Sequence, residues 1–557
     1  MSETTGESGE QAPKGLGAQL IRLQAWVRRG FSEGRSPALW LMALVVGVIA
    51  GYGALGLRLA IQTVQLGAFG AFSENLASRA AELDALHIIA ATFLAGVAVS
   101  ALLFLGERMK WLPETHPLVV ADVIEARAVR AGKMNTAPGL LSAAIAAVSL
   151  GGGLSAGREG PAVHLGATLA AVFTKLLGLP ARAARIMLAC GAAAAVSASF
   201  NAPVAGALFA FEVILGHYAL RSIAPVAAAS VTGAVLARIH FGATPAFPVP
   251  TIEPASIADF LAVVPLGLAA AGVAIPFILA ANAAPRLVAE QAKKIHWPLW
   301  ALPPVGGVIV GLIGAFVPEV LGVGYEATAN ALAGAYGIGL LVALIAVKLV
   351  ATVITLGFRF GGGVFSPSLY LGAMVGGLFG AIVAQTLGEQ ASSSAFFAVV
   401  GMGAVSGAVL GAPLSTTLIV FELTASYEAS IALLVAVSLA TVITTSVTKG
   451  SFFHKQVERH GYDLTEGNAR VILQTIRARD IMSPLDASDI TGEMDEPALY
   501  EDDYLGRVMG FLSAEKLDGA PVRARSGDQP ITGYISKADA HAAYADALAR
   551  AHAEEHR

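Results

Sequence analysis

The chain alternates between long apolar runs and short polar breaks, and the runs dominate. Pro37–Ala60, Leu86–Leu105, Asp259–Ala284, Leu299–Val317, Leu340–Thr355 and Ile431–Val447 are almost free of charge. Several are long enough to cross a hydrocarbon core of about 30 Å, which takes roughly 20 helical residues. Others, such as Leu188–Ser199 and Val399–Gly407, are too short to span alone. Short, glycine-interrupted segments of this kind predict broken helices that meet at a buried site. The pattern predicts an all-α polytopic membrane protein. It covers residues 37–450, after a polar N-terminal segment 1–36. Beyond 450 the character changes. A linker 451–477 leads to a charged segment 478–557, which reads as a small soluble appendage on the cytoplasmic side with helix formers at its end.

The membrane part repeats itself. Gly160-Pro161-Ala162-Val163-His164-Leu165-Gly166-Ala167 parallels Ser366-Pro367-Ser368-Leu369-Tyr370-Leu371-Gly372-Ala373. Further on, Ala202-Pro203 and Phe211-Glu212 parallel Ala412-Pro413 and Phe421-Glu422, with nine residues from proline to glutamate in both copies. Matched order and spacing divide the region into halves at about 37–240 and 256–450. An inverted arrangement is the common transporter solution for such halves.

Composition narrows the functional classes. Hydrophobic residues make up 55% of the 557 positions and charged residues 14%, and the mean hydropathy is +0.67. A soluble surface needs about a quarter charged residues. There is no basic tract, which disfavours nucleic acid. The lone Cys190 excludes an internal disulfide. Arg22, Arg28, Arg29 and Arg35 precede the first apolar run and favour a cytoplasmic N-terminus, and an even number of crossings returns the C-terminus to the same side. Gly15–Phe31 reads equally as an interfacial amphipathic helix or a solvated one. No hydrolytic or nucleotide-cleaving constellation is present, so an enzyme is not expected.

Charge inside the apolar region points to function by default. Gly157-Arg158-Glu159-Gly160-Pro161 lies between two apolar stretches. Pro161 suits the first turn of a helix, whose amides lack intrahelical partners and attract anions. A carboxylate at such a site competes with the anion and acts as a gate; the competing reading is a structural ion pair with Arg158. The second half offers Gly361-Gly362-Gly363-Val364-Phe365-Ser366-Pro367, a glycine run into a helix start with no charge. Two such N-termini face to face would hold a dehydrated anion on backbone N–H groups.

Gly157–Pro161 and Gly361–Pro367 resemble the GREGP and GxFxP signatures of the CLC chloride channel and transporter family, and Gly401-Met402-Gly403-Ala404 with Ala412-Pro413-Leu414 is similar to a third family region. The resemblance covers residues 40–460. It implies two inverted repeats, chloride as the transported ion and a homodimer in a plasma or inner membrane. It also assigns the gate to Glu159, and the anion site to the backbone around Arg158, Gly160, Val364 and Phe365. Two positions depart from the family pattern. Leu118 stands where a serine would touch the anion, and Phe453 stands where a tyrosine hydroxyl would. Binding there should lean on the backbone. Exchangers of the family usually carry a second glutamate one residue after Glu212, and here that residue is Val213. The reading therefore leans to a passive channel, with a proton-coupled exchanger as the alternative. A cation-coupled transporter of an organic substrate is a more distant one. Glu212 and Glu422, being equivalent, read as helix-end residues, and His164 as packing rather than titrating. In the tail, Asp480-Ile481-Met482, Gly519-Ala520-Pro521-Val522 and Gly533–Asp539 resemble one CBS motif, which implies a small α/β cytoplasmic domain over 478–557 and a candidate adenine nucleotide contact at Ser536 and Asp539.

Overall fold

The computed structural model describes residues 36–72, 75–112, 119–242, 257–387, 394–463, 468–484, 498–525 and 531–556. The N-terminal arginines, the segment 15–31 and Leu118 lie outside the described residues. Among those described, ten helices are long and apolar enough to cross a membrane by length and composition.

The principal helices of the two halves match one for one. Ser36–Phe69, Ala85–Arg108, Val120–Ala128, Thr136–Gly151, Glu159–Leu177, Ala181–Phe200, Pro203–Phe209 and Leu220–Phe241 make the first half. Ile257–Lys294, Pro303–Phe316, Tyr325–Leu332, Ile338–Gly357, Phe365–Leu387, Ser394–Leu410, Pro413–Thr424 and Tyr427–Thr448 repeat that order in the second. The fold is the all-α, two-repeat architecture that the sequence predicts, with short helices among the long ones. One expectation is corrected. The run Leu188–Ser199 is the buried end of a 20-residue helix, Ala181–Phe200. Arg182 and Arg185 in its first turns interrupt the hydropathy without interrupting the helix.

The centre of each half is packed through glycine. A Cβ at Gly166 would lie 2.5 Å from the Gly191 carbonyl oxygen, and one at Gly191 would lie 2.4 Å from that of Gly166. The equivalent crossing repeats this, with 2.3 Å from Gly372 to the Gly401 oxygen and 2.6 Å in the reverse sense. Only residues without a side chain let these helices approach so closely.

The halves also finish each other. Glu212, in the π-helical turn Ala210–Leu215 that continues the first half's short helix, accepts bonds from the amides of Leu414 (3.1 Å) and Ser415 (2.8 Å) at the start of Pro413–Thr424. Glu422 does the reverse, accepting from Val204 (3.0 Å) and Ala205 (2.8 Å) at the start of Pro203–Phe209. First-turn amides have no partner in their own helix, and each half draws its carboxylate from the other.

Past the short helix Phe452–Arg459, the C-terminal segment forms a four-stranded sheet in the order β1-β4-β3-β2, from Ser483–Pro484, Leu499–Tyr500, Gly519–Arg523 and Ile531–Ser536. Leu499, Val508, Leu512, Val522 and Ile535 form its core beneath the helices Leu505–Ala514 and Lys537–His556.

Candidate anion site

The two glycine loops pair back to back. Gly157 N–H donates to the Gly363 carbonyl (2.7 Å) and Gly363 N–H donates to that of Gly157 (2.8 Å). Aligning Gly160-Pro161 with Ser366-Pro367 makes Gly157 and Gly363 equivalent, so this antiparallel bridge lies on the pseudo-two-fold relation itself. It brings the helix starts Glu159–Leu177 and Phe365–Leu387 together.

Glu159 is fully buried. Its Oε1 accepts from the Tyr325 hydroxyl (2.7 Å) and the Ser366 hydroxyl (2.6 Å). Its Oε2 accepts from the Ser366 amide at 3.3 Å. That amide belongs to the first turn of Phe365–Leu387, so the carboxylate of one half sits on an orphan donor of the other. The Arg158 guanidinium stacks 4.6 Å from the centre of the Tyr325 ring and faces a separate small cavity shared with Arg58.

Glu159 and Gly160 open onto a cavity of about 480 Å³ whose wall also includes Val364, Phe365 and Phe453. Val119, Val120 and Ala121, at the start of the helix Val120–Ala128, complete it. The Phe365 ring is held between Phe200 and Phe209, with centroids 5.0 and 6.0 Å away. Arg286, Lys293, Arg459 and His460 also line this cavity, with Glu290 paired to Arg286. A cavity rich in cations concentrates anions in front of the helix starts.

Three site residues escape the sequence reading: Tyr325, Ser366 as a hydroxyl donor, and Lys348. Lys348 is fully buried and donates to the carbonyls of Val320 (3.0 Å) and Gly322 (3.1 Å). It thereby pins the turn that delivers Tyr325 through Gly324, whose φ is +86°. The signal was present as a single lysine inside the apolar run Leu340–Thr355 and a Gly-Val-Gly-Tyr turn before a helix start. His164 and Tyr370 are equivalent and buried, and among the described residues neither His164 Nε2 nor the Tyr370 hydroxyl has a hydrogen-bond partner.

Below the cavity, buried Glu125 accepts from Arg130 (2.6 Å) and from His460 Nδ1 (2.7 Å). Burial works to raise the Glu125 pKa, but His460 and Arg130 outweigh it and hold the carboxyl below its ordinary value. The bond to Glu125 lifts His460 above its own. Asp122, Glu125 and His460 are a described group with metal-ligand atoms within 4.8 Å of one another. Both Glu125 oxygens are already engaged, so the group reads as an ion-pair network. In the tail, Ser536 and Asp539 bond each other, with the hydroxyl donating to the carboxylate (2.6 Å) and accepting from the Asp539 amide (3.0 Å). They cap the helix Lys537–His556.

Comparison with known proteins bears on this geometry. A family model described as "Voltage gated chloride channel" matches residues 101–445. A "Putative chloride channel protein ClcB-like" from Ralstonia nicotianae is 32% identical over 64% of this chain and 82% of its own length. A "Voltage-gated ClC-type chloride channel ClcB" from Escherichia coli is 27% identical over 75% and 99%. Among solved structures, a slow cyanobacterial Cl−/H+ antiporter superposes with a TM-score of 0.67 at 20% identity, covering 76% of this chain and 98% of its own. A eukaryotic CLC transporter gives 0.62 at 16% identity, covering 90% and 97%.

Proposed function

The chain belongs to the voltage gated chloride channel family, an integral membrane family of anion transporters, and from that premise we propose that it conducts chloride along a route gated by Glu159. The observation that carries this reading is the bond from the Ser366 amide to the Glu159 carboxylate. An acceptor-rich side chain occupies a donor that suits an anion, and the two compete. Protonation weakens the carboxylate as a competitor and releases it. Val364, Phe365 and Gly160 offer backbone at the same cavity, while Phe453 brings an aromatic face without a hydroxyl.

Conduction without proton coupling is the finer proposal. Val213 offers no carboxylate, and neighbouring Glu212 has its oxygens on the amides of Leu414 and Ser415. Reconstituted vesicles loaded with chloride test both parts, with chloride and proton fluxes recorded together. Glu159→Gln keeps the size and removes the charge, so its chloride flux should equal or exceed wild type and lose most of its pH dependence. A folded Glu159→Gln protein with an unchanged pH profile removes the gate assignment. Protons driven uphill by a chloride gradient at a fixed ratio replace the channel with an exchanger.

A further inference from the structure

Lys348 lies fully buried within the apolar helix Ile338–Gly357 and touches no part of the anion route directly. An amine at that depth is costly unless its protons are answered, and function is the first hypothesis for it. Among the described residues no carboxylate pairs with it. Its neighbours are the carbonyls of Val320 (3.0 Å) and Gly322 (3.1 Å) and the face of the Tyr370 ring, whose centre is 4.9 Å away.

These contacts reach Glu159 through a short chain of atoms. Val320 and Gly322 begin the turn that runs to Gly324, where φ is +86°. A Cβ at Gly324 would lie 2.8 Å from Tyr370 Cδ2 and 3.2 Å from Lys348 Nζ, so the turn closes against the lysine and admits only glycine. The next residue is Tyr325, whose hydroxyl donates to Glu159 Oε1 (2.7 Å). The lysine's helix also holds the loop of the other half. The Thr352 hydroxyl, one turn beyond Lys348, bonds that of Ser155 (3.2 Å), and the Gly322 amide donates to the Gly153 carbonyl (3.0 Å). One helix thus fixes the donor's turn and the loop that leads to Glu159 in a common frame.

A scaffold role alone would be expected in both halves. Lys348 stands nine residues before Gly357, which ends its helix, and the matching place in the first half, nine before Gly151, is Ser142. Only the half that supplies both hydroxyl donors to Glu159 carries the lysine.

We propose that Lys348 is a positioning residue for the gate: its amine holds the turn 320–324 so that the Tyr325 hydroxyl stays on Glu159. Without the amine the two carbonyls lose their donor and the turn relaxes. Tyr325 then leaves the carboxylate, and Glu159 yields the Ser366 amide to an anion more readily. The effect on flux rests on the gating role of Glu159, whereas the placement of Tyr325 is readable without it.

Full-length protein labelled with fluorotyrosine is followed in detergent by fluorine NMR, the Tyr325 signal being assigned through Tyr325→Phe. Lys348→Met keeps an unbranched chain and removes the donor, and its Tyr325 signal should shift or broaden. Lys348→Arg restores donors to the carbonyls and should bring the signal back toward its wild-type position. In vesicles at a fixed pH, Lys348→Met should raise chloride flux to within about twofold of Tyr325→Phe. Combining the two should add nothing beyond about twofold, because both remove the same bond. Should Lys348→Met not fold, Lys348→Gln, with a shorter donor, is read in the same way. A role in folding alone predicts a lower melting temperature with the Tyr325 signal unmoved, or fluxes that change additively, and either result overturns the proposal. A moved Tyr325 signal with unchanged flux upholds the placement and removes the gate reading instead.

Discussion

The two halves of the membrane region use the same parts until they reach the loops at the centre. Gly166 against Gly191 is repeated by Gly372 against Gly401, and Glu212 and Glu422 exchange the same service. At the loops the halves part. The first half places Arg158 and Glu159 where the second places Val364 and Phe365. Glu159 crosses to the Ser366 amide, but Phe365 has no acceptor with which to return the gesture. Folding tolerates or exploits symmetry here, whereas the proposed gating role asks that only one of two equivalent helix starts carry its own competitor. The scaffold is duplicated and the buried carboxylate is not.

The strongest test of the shared part removes the exchanged carboxylates. Glu212→Ala and Glu422→Ala each strand two amides, at a cost of roughly 2–4 kcal/mol. Glu212→Ala also removes the acceptor of the Ser415 hydroxyl, a partly buried bond that water replaces once the carboxylate is gone. Thermal unfolding in detergent should show losses that agree within about 1 kcal/mol. Clearly unequal losses would break the comparison.

Next come the paired glycines. A Cβ at Gly157 would sit 2.9 Å from Glu159 Oε2 and 3.0 Å from the Ser366 amide, displacing the carboxylate. A Cβ at Gly363 would meet the Gly160 Cα and N at 3.3 Å before any atom of Glu159. Chloride flux through Gly157→Ala should therefore rise and its pH profile flatten, by several-fold more than for Gly363→Ala. Equal responses would mean that the bridge, not the carboxylate, sets the flux.

Smaller effects should follow from the donors. Tyr325→Phe and Ser366→Ala each delete one hydrogen bond to a carboxylate, worth about 1.5–3 kcal/mol. Loss of a donor loosens the carboxylate, so chloride flux at a fixed pH should rise, by less than in Glu159→Gln. An unchanged or lower flux in the folded variants would contradict the assignment.

The smallest expected difference lies between matched short helices. Val120–Ala128 is tied by Glu125 to Arg130 and His460, whereas Tyr325–Leu332 is tied by Glu326 to Ser78. His460 is raised by its partner, so its stabilisation is present below its ordinary value, about 6.5, and fades as pH rises through the raised one. Glu125 is lowered, so its share is present above its ordinary value and fades as pH falls through the lowered one. His460→Gln should remove up to about 1 kcal/mol of stability at pH 6 and almost nothing at pH 9. Glu326→Gln should lack that pH signature when both are followed by thermal melts.

Much of this was legible in the chain. The repeat, the helix starts and Glu159 all follow from local pattern, because proline and glycine mark helix starts and a charge in an apolar run is costly. The partners of Glu159 were not legible. Tyr325 lies 166 residues away and Ser366 lies 207 away, and only the closing of the two halves brings them in. Lys348 stood in plain sight within its apolar run, yet its role depends on carbonyls in a turn that the sequence does not locate. Residues 181–200 misled for a simpler reason: hydropathy averages over arginines that a helix merely carries at its end.

The exchange between Glu212 and Glu422 has a consequence for biosynthesis. When the ribosome has released the first half, Glu212 still lacks the amides of Leu414 and Ser415, and the helix that starts at Pro203 still lacks its carboxylate. Neither can be completed until about 200 further residues have been made. The early half must wait in the bilayer as an open form with a charge and several amides unanswered, shielded by water, lipid headgroups or an insertion factor. A premature stop before Pro413 would leave that form permanent and mark it for degradation. Coexpression of the missing half, as a separate polypeptide, should rescue it.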